Sequence, residues 1–464
     1  MTIELKINEG EDIILYPRRE STIDENPRRY DLVDNLNHVW MQLELINNSL
    51  QVVTKHRNIN DSDEVLRIKL DNLIIELIEA EQSGTELSEG IENEDVSPYD
   101  PEKIKIHSKA FNLRLISDMI DDGDIDLSPD FQRKYVWDSH QKSRLIESIL
   151  LRIPLPMFYF SEDEEGRITV VDGLQRLTTI KQFMENKFPL RGLEYLKSSC
   201  EGKYYSEFNK DGTPNGKNAI ESKYFRWFNQ TQFSVNVIDP TSPPKVKYDI
   251  FRRINTGGKP LNNQEIRNCL SSPNLRFLLN EMVSLNEFKT ATDYSVKTTR
   301  MDDQEIALRF ILFSKLYSVD ESLNNYNGYI DSSLDDITEK MSRISDDEKK
   351  SWILKFSNAM KNAEYLIGNK HAFRKITNVD IVYGAHKQLL NKALFVVWSV
   401  LLSEYDNKTI IEKNEEFSLQ SIIANYIQSD EVLYSYLSYG TNGKANLQYA
   451  FFQFKKIINE FLNL

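Results

Sequence analysis

"RITVVDGLQRLTTIKQF", residues 167–183, sets a β-branched run against Asp172-Gly173 and follows it with apolar residues at helical spacing. Ile168, Val170 and Val171 fit a buried strand, and Leu177, Ile180 and Phe183 fall on one side of a helix. Gly173 permits the close backbone approach that such a strand-to-helix turn needs. Unpaired N–H groups and the positive dipole end at the helix start suit an anion, and Arg176 can supply a charge-assisted fork. Asp172 would repel a phosphate directly, so it is expected to hold a divalent cation, a ribose hydroxyl or a water. The plainer alternative is a capping Asp with a surface Asp–Arg pair, since Asp-Gly occurs in many ordinary turns.

Two flanking segments carry residues of related chemistry. In "SPDFQRKYVWDSHQKSRLIESILLRIPLP", 128–156, Asp138 can cap a helix starting near Ser139, with Gln141 three residues on and Leu145, Ile146, Ile149 and Leu150 on its buried face. Just upstream, Gln132, Arg133, Tyr135 and Trp137 put an amide, a cation and two large aromatics into an extended segment, a set able to hold a planar base or an anion. Alternatively Tyr135 and Trp137 point into the core and Arg133 faces water. In "FRRINTGGKPLNNQEIRNCL", 251–270, a Gly-rich loop carries Arg253, Asn255, Thr256 and Lys259 ahead of a helix that Asn262 and Glu265 can cap. It is not a P-loop, because Arg253 stands where the leading Gly is needed and Pro260 where Ser or Thr is needed. A simple tight turn is the other reading.

The chain of 464 residues is too long for one ordinary core, and length suggests roughly two to four domains. Residues 1–83 show two stretches of helical periodicity, which predicts an antiparallel helical hairpin. From Gly84 to Glu102 there are seven acids, two prolines and no Lys or Arg, which predicts a linker over 84–103. Residues 104–270 mix strand and helix patterns, so an α+β domain is expected there. Residues 271–464 read as all-helical, with Trp352, Phe356, Met360, Ala363 and Ile367 on one helical face and Gly368 as C-cap.

Composition narrows the function classes. The 57 basic and 71 acidic residues give a net charge of −14, so any contact with nucleic acid must be local. One such patch could gather Arg133, Lys134, Lys142, Arg144 and the aromatic "KYFRWF" at 223–228. Only Cys200 and Cys269 are present, and the six histidines contain no HxxxH pair, which argues against a disulfide framework and structural zinc. With no long apolar run and no secretory pattern at the N-terminus, a cytoplasmic protein without a membrane partner is expected.

The segments "FQRKYVW", "DGLQR" and "FRRINTGGKPLNNQE", in this order, resemble the domain-of-unknown-function family found at the N-terminus of GmrSD-type modification-dependent restriction enzymes. That family belongs to the ParB/sulfiredoxin-like superfamily, and "RMDDQEIALRFILF" at 300–313 looks like its continuation, so the resemblance covers roughly residues 105–315. It implies a ParB/sulfiredoxin-like core in which Asp172, Gln175 and Arg176 form the catalytic centre for a nucleoside triphosphate. By the same resemblance, Gln132, Arg133, Tyr135, Trp137, Gly173, Arg253, Asn255, Thr256 and Lys259 bind the nucleotide and Asp172 places Mg²⁺. It further implies antiphage defence, with phage or modified DNA and a separate nuclease or effector as partners. Leu174 stands where the family's signature, Asp-Gly-Gln-Gln-Arg, has its first Gln. The nuclease that usually follows is not legible here, because residues after 315 offer only His371 and His386 toward a metal site.

Overall fold

The computed structural model describes residues 2–7, 11–19, 28–34, 36, 38–46, 49–86, 101–127, 137–163, 165–209, 212–254 and 261–463. It divides into two units: Met1–Asp95 together with Ser272–Leu464, and Val96–Ser271. The second unit is therefore inserted, in sequence, into the first.

The N-terminal segment corrects the expected helical hairpin. It forms an antiparallel meander of β1 (Ile3–Ile7), β2 (Glu11–Arg19), β3 (Arg28–Val33), β4 (Val39–Ile46) and β5 (Ser49–Lys55), followed by one helix, α1 (Asp63–Ser83). In β4, Met41 and Leu45 satisfy helical spacing and strand alternation equally, and the buried Leu43 between them decides for the strand. Tyr30 and Leu32 alternate in the same way on β3. The face so formed packs on Leu66, Leu70, Leu73, Ile74 and Leu77 of α1, which supply the layer that a lone sheet lacks.

This segment is not separate from the C-terminal helices. Arg18 donates to the Asp380 carboxylate at 2.8 Å and to Thr377 Oγ1 at 2.6 Å, and Tyr16 meets Tyr434 edge-on at 6.2 Å. The start of the expected linker is also built in: Thr85 is buried and the Glu86 N–H donates to the Leu390 carbonyl at 2.8 Å. Residues 87–100 of that linker lie outside the described residues. The helix Lys392–Leu402, "KALFVVWSVLL", is buried along its whole length, as an all-round apolar helix must be. Helices Asp302–Val319, Asp346–Ile367 and Lys444–Phe461 pack around it. The Phe356, Met360, Ala363 and Ile367 stripe is core, and the Gly368 N–H closes the helix on the Glu364 carbonyl.

The inserted unit is α+β. Its elements are β6 (Ile106–Asn112), α2 (Leu113–Asp122), β7 (Ile125–Asp126), α3 (Ser139–Leu150), β8 (Phe158–Glu162), β9 (Ile168–Asp172), α4 (Leu174–Met184), α5 (Lys197–Cys200), α6 (Ser222–Gln230), β10 (Gln232–Ile238), α7 (Pro244–Ile254) and α8 (Asn263–Leu270). The sheet runs β6-β10-β8-β9-β7, with β10 parallel to β8, β7 parallel to β9 and the other pairs antiparallel. Phe158, Phe160, Val170 and Val235 of the sheet are buried, as are Leu177, Ile180 and Phe183 of α4, and α3 packs on α4. Among the described residues, no helix is long and apolar enough to cross a membrane.

Burial pushes two carboxyls of the first unit, Asp302 and Asp303, up to about 6. Between roughly pH 4 and pH 6 the folded state then binds more protons than the unfolded one, so this pair lowers stability as pH rises through that window. Asp303→Asn should therefore be more stable than wild type at pH 8, by on the order of 2 kcal/mol, with the gap closing toward pH 4. Urea unfolding at a series of pH values checks this; a gap that does not change with pH would refute it.

Candidate functional site at the β9–α4 turn

Sequence and structure agree on where the strand ends. β9 stops at Asp172, Gly173 takes φ 101° and ψ 8°, and α4 begins at Leu174. A Cβ at position 173 would lie 2.2 Å from Phe158 Cδ1, so both the backbone angle and the neighbouring ring require glycine. Asp172 pairs with Tyr159 across the sheet, but Val170 already pairs with Phe160, so Val171 is the extra residue of a bulge. Bulges re-aim the side chains beside them, and this one sits immediately before the turn.

Arg176 is the hub of the turn. Its Nη2 donates to Asp172 Oδ2 at 2.8 Å and to the Met157 carbonyl at 3.2 Å, Nη1 donates to the Pro156 carbonyl, and the guanidinium lies 4.1 Å from the Phe158 ring centroid. Only 12% of its side chain is exposed, and burial lowers its pKa from the usual arginine value, opposed by the Asp172 charge. Asp172 has 42% of its side chain exposed, and its Oδ1 accepts no bond among the described residues. The first turn of α4 has no side-chain cap, because Gly173 occupies the N-cap position. Gln175 sits half-buried in that first turn.

The flanking helices converge on this strand. α7 and α8 both pack against β9. The Asn262–Glu265 capping box forms as expected, with reciprocal bonds of 2.7 Å, and the Asp138–Gln141 box starts α3. Gln264, beside Glu265 on α8, is buried with neither amide atom hydrogen-bonded among the described residues, a rare condition for a buried amide. Trp137 is half-buried ahead of α3, and Arg253 is exposed near the end of α7. Gln132, Arg133, Lys134 and Tyr135, and likewise Asn255, Thr256 and Lys259, lie outside the described residues. In the rest of the expected basic patch, Lys142 donates to Gln182, Arg144 pairs with Glu194, and Tyr224 and Phe228 of "KYFRWF" are buried.

Sequence reasoning missed Pro156, Met157 and Phe158 as partners of Arg176. Two of them act through backbone carbonyls, which no residue pattern encodes, although the prolines of "RIPLP" mark a segment held extended. Gln264 was hidden inside a capping motif. As to a metal, no group of three or more His, Cys, Asp or Glu side chains is gathered among the described residues. One open carboxylate oxygen still fits Mg²⁺, which commonly takes one or two carboxylates and completes its shell with phosphates and water.

Residues 116–271 match the family described as the GmrSD restriction endonuclease, N-terminal domain, so this stretch of the chain is a domain of that family. No curated protein and no solved structure matches the chain. The matched stretch ends before "RMDDQE", which belongs to the other unit.

Since Arg176 ties two carbonyls and a carboxylate together, Arg176→Ala should cost the inserted unit about 2 kcal/mol or more. Gly173→Ala should cost about 3 kcal/mol from its backbone angle and the Phe158 overlap. Asp172→Asn, half-exposed, should cost less than about 1 kcal/mol. Denaturant unfolding of the full chain ranks the three, and an Arg176→Ala protein as stable as wild type would contradict the hub.

Proposed function

We propose that this chain is a restriction-associated antiphage protein whose inserted domain binds and hydrolyses a nucleoside triphosphate at the β9–α4 turn. The observation that carries the reading is the turn itself: an uncapped helix N-terminus behind an obligatory glycine, with the Asp172 carboxylate held beside it by Arg176. Uncapped N–H groups and the helix dipole supply an anion site for phosphate without a P-loop. The family match of the same stretch agrees with a role in restriction.

The roles divide by exposure. Asp172 Oδ1 orients an attacking water or holds Mg²⁺, which when bound would draw off phosphate charge. Arg176 is a positioning residue, because its guanidinium is shared between Asp172 and the Pro156 and Met157 carbonyls. Gln264 supplies a buried amide that a ligand in this region could satisfy. Leu174, where the family has Gln, is 5% exposed and packs at the helix start, so the departure from the signature is absorbed by the core. Nucleotide turnover would then be coupled to DNA recognition or to control of a nuclease carried by another protein. A ParB/sulfiredoxin-like ancestry is consistent with the mixed sheet but is not needed for this chemistry.

Titrating ATP, GTP, CTP and UTP with Mg²⁺ into wild type and Asp172→Asn, with phosphate release followed in the same samples, tests the reading. Wild type should bind at least one triphosphate and release phosphate. Asp172→Asn should retain the fold and lose release by about a hundredfold or more, the usual weight of a positioned base. Absence of binding by any of the four, or undiminished release by the variant, would overturn it.

A further inference from the structure

A second recess lies in the inserted unit at the other end of α4. It has a volume of about 860 Å³ and is walled by α2, the C-terminal half of α4, residues 205–209 and α6. Its nearest lining residue on α4, Lys181, is five positions beyond Arg176, about 7.5 Å of helix rise, and Asp172, Gly173 and Arg176 do not line it, so it is distinct from the Gly173 turn.

Aromatic rings form one side of it. Phe208 and Phe225 are 52% and 38% exposed, although each is large and apolar. The Tyr205 ring lies 4.9 Å from Phe225 at an interplanar angle of 35°, and is backed by Phe183 and Phe228 at 5.8 and 5.5 Å. Its hydroxyl donates to Asn229 Oδ1 at 2.8 Å, which fixes the ring. The platform is thus held from the core side and open on the other.

The charged groups complete the picture. Arg114 and Arg226 are exposed on the recess and make no ion pair among the described residues, in a chain whose acids outnumber its bases by fourteen. Lys181 is buried and neutralised by Asp121 at 2.6 Å, with Ser117 Oγ at 3.0 Å, so it closes the floor rather than serving a ligand. Asp118 and Glu185 also line the space.

We propose that this recess binds a nucleotide of single-stranded nucleic acid, its base stacked on the Tyr205, Phe208 and Phe225 rings and its flanking phosphates on Arg114 and Arg226. Stacking on aromatic side chains with arginine beside them is how single strands are held. The aromatic platform decides against an acidic peptide, whose charged groups offer no planar bases to stack; Glu185 is held by Lys187 at 2.7 Å, and Asp118 can accept from the exocyclic amino groups of bases. Two of these five residues come from "KYFRWF", where the fold keeps Tyr224 and Phe228 for the core and turns Phe225 and Arg226 outward. The inference does not rest on nucleotide hydrolysis at the Gly173 turn.

The test is fluorescence anisotropy of the full chain with a short labelled single-stranded oligodeoxynucleotide of mixed sequence, across a salt series. Wild type should bind it. The double variant Arg114→Ala/Arg226→Ala should lower the slope of log affinity against log salt by about 1.4, two phosphate contacts at about 0.7 each. Phe208→Ala/Phe225→Ala should weaken binding about tenfold or more and leave that slope unchanged. The arginine variant alters exposed side chains that make no ion pair among the described residues, so its melting temperature should match wild type. The phenylalanine variant also loses the Phe225–Tyr205 contact, so it is measured well below its own melting temperature, and triphosphate binding should be unaltered in both. Failure of wild type to bind the single strand, or wild-type binding by both variants, would overturn the proposal. So would loss of triphosphate binding in the arginine variant, since the recess would then belong to the triphosphate.

Discussion

One guanidinium organises the centre of the inserted domain. Arg176 reaches back from the first turn of α4 to the end of β9 and to the segment that leads into β8, with its guanidinium carbon over the Phe158 ring at 4.1 Å from the centroid. Arginine suits the position because its planar fork can serve a carboxylate and two carbonyls at once, and because it tolerates an aromatic face. Lysine can lie over a ring but lacks the planar fork. Gly173 is the other half of the same constraint, since only a residue without Cβ leaves room for Phe158 to sit beneath the guanidinium. The bulge at Val171, the open carboxylate oxygen of Asp172 and the uncapped helix start all follow from holding these two residues in place.

That arrangement recasts an Asp-Gly-x-x-Arg motif as architecture first and chemistry second. Read as a string, Arg176 is the natural phosphate ligand. In the fold it is largely spent on protein oxygens, and the group with free capacity toward solvent is Asp172. A buried cation shared between two carbonyls and a half-exposed acid holds that carboxylate in one orientation. The helix that starts here also ends at the aromatic recess, so a single rigid element borders both places where the domain could meet a ligand.

The parts of this fold that were legible in sequence are those fixed by neighbours along the chain. The β9–Gly173–α4 turn, the Asp138 and Asn262 capping boxes and the Phe356–Ile367 stripe each depend on spacings of a few residues, and each is present. The meander at β3–β5 is not legible in the sequence because two of its apolar positions fit both periods, and burial of Leu43 is a property of the partner layer, not of the segment. The partners of Arg176 were invisible for a different reason, being main-chain oxygens twenty residues upstream. The pairing of Arg18 with Asp380, separated by 362 positions, has no local signature at all. Within "KYFRWF" the composition was informative, but which rings face outward was set only when α6 packed against Phe183.

The insertion of Val96–Ser271 within the first unit bears on how the chain is made. A ribosome delivers the meander and α1 early, yet Thr85, Arg18 and Tyr16 find their partners only when Leu390, Asp380 and Tyr434 have been translated. The inserted domain is complete well before that and can reach its native state while Tyr16 and Arg18 still lack their partners, since domains generally fold as units in order of synthesis. The outer unit is therefore the late-maturing part of the molecule, completed only when its C-terminal helices have been translated.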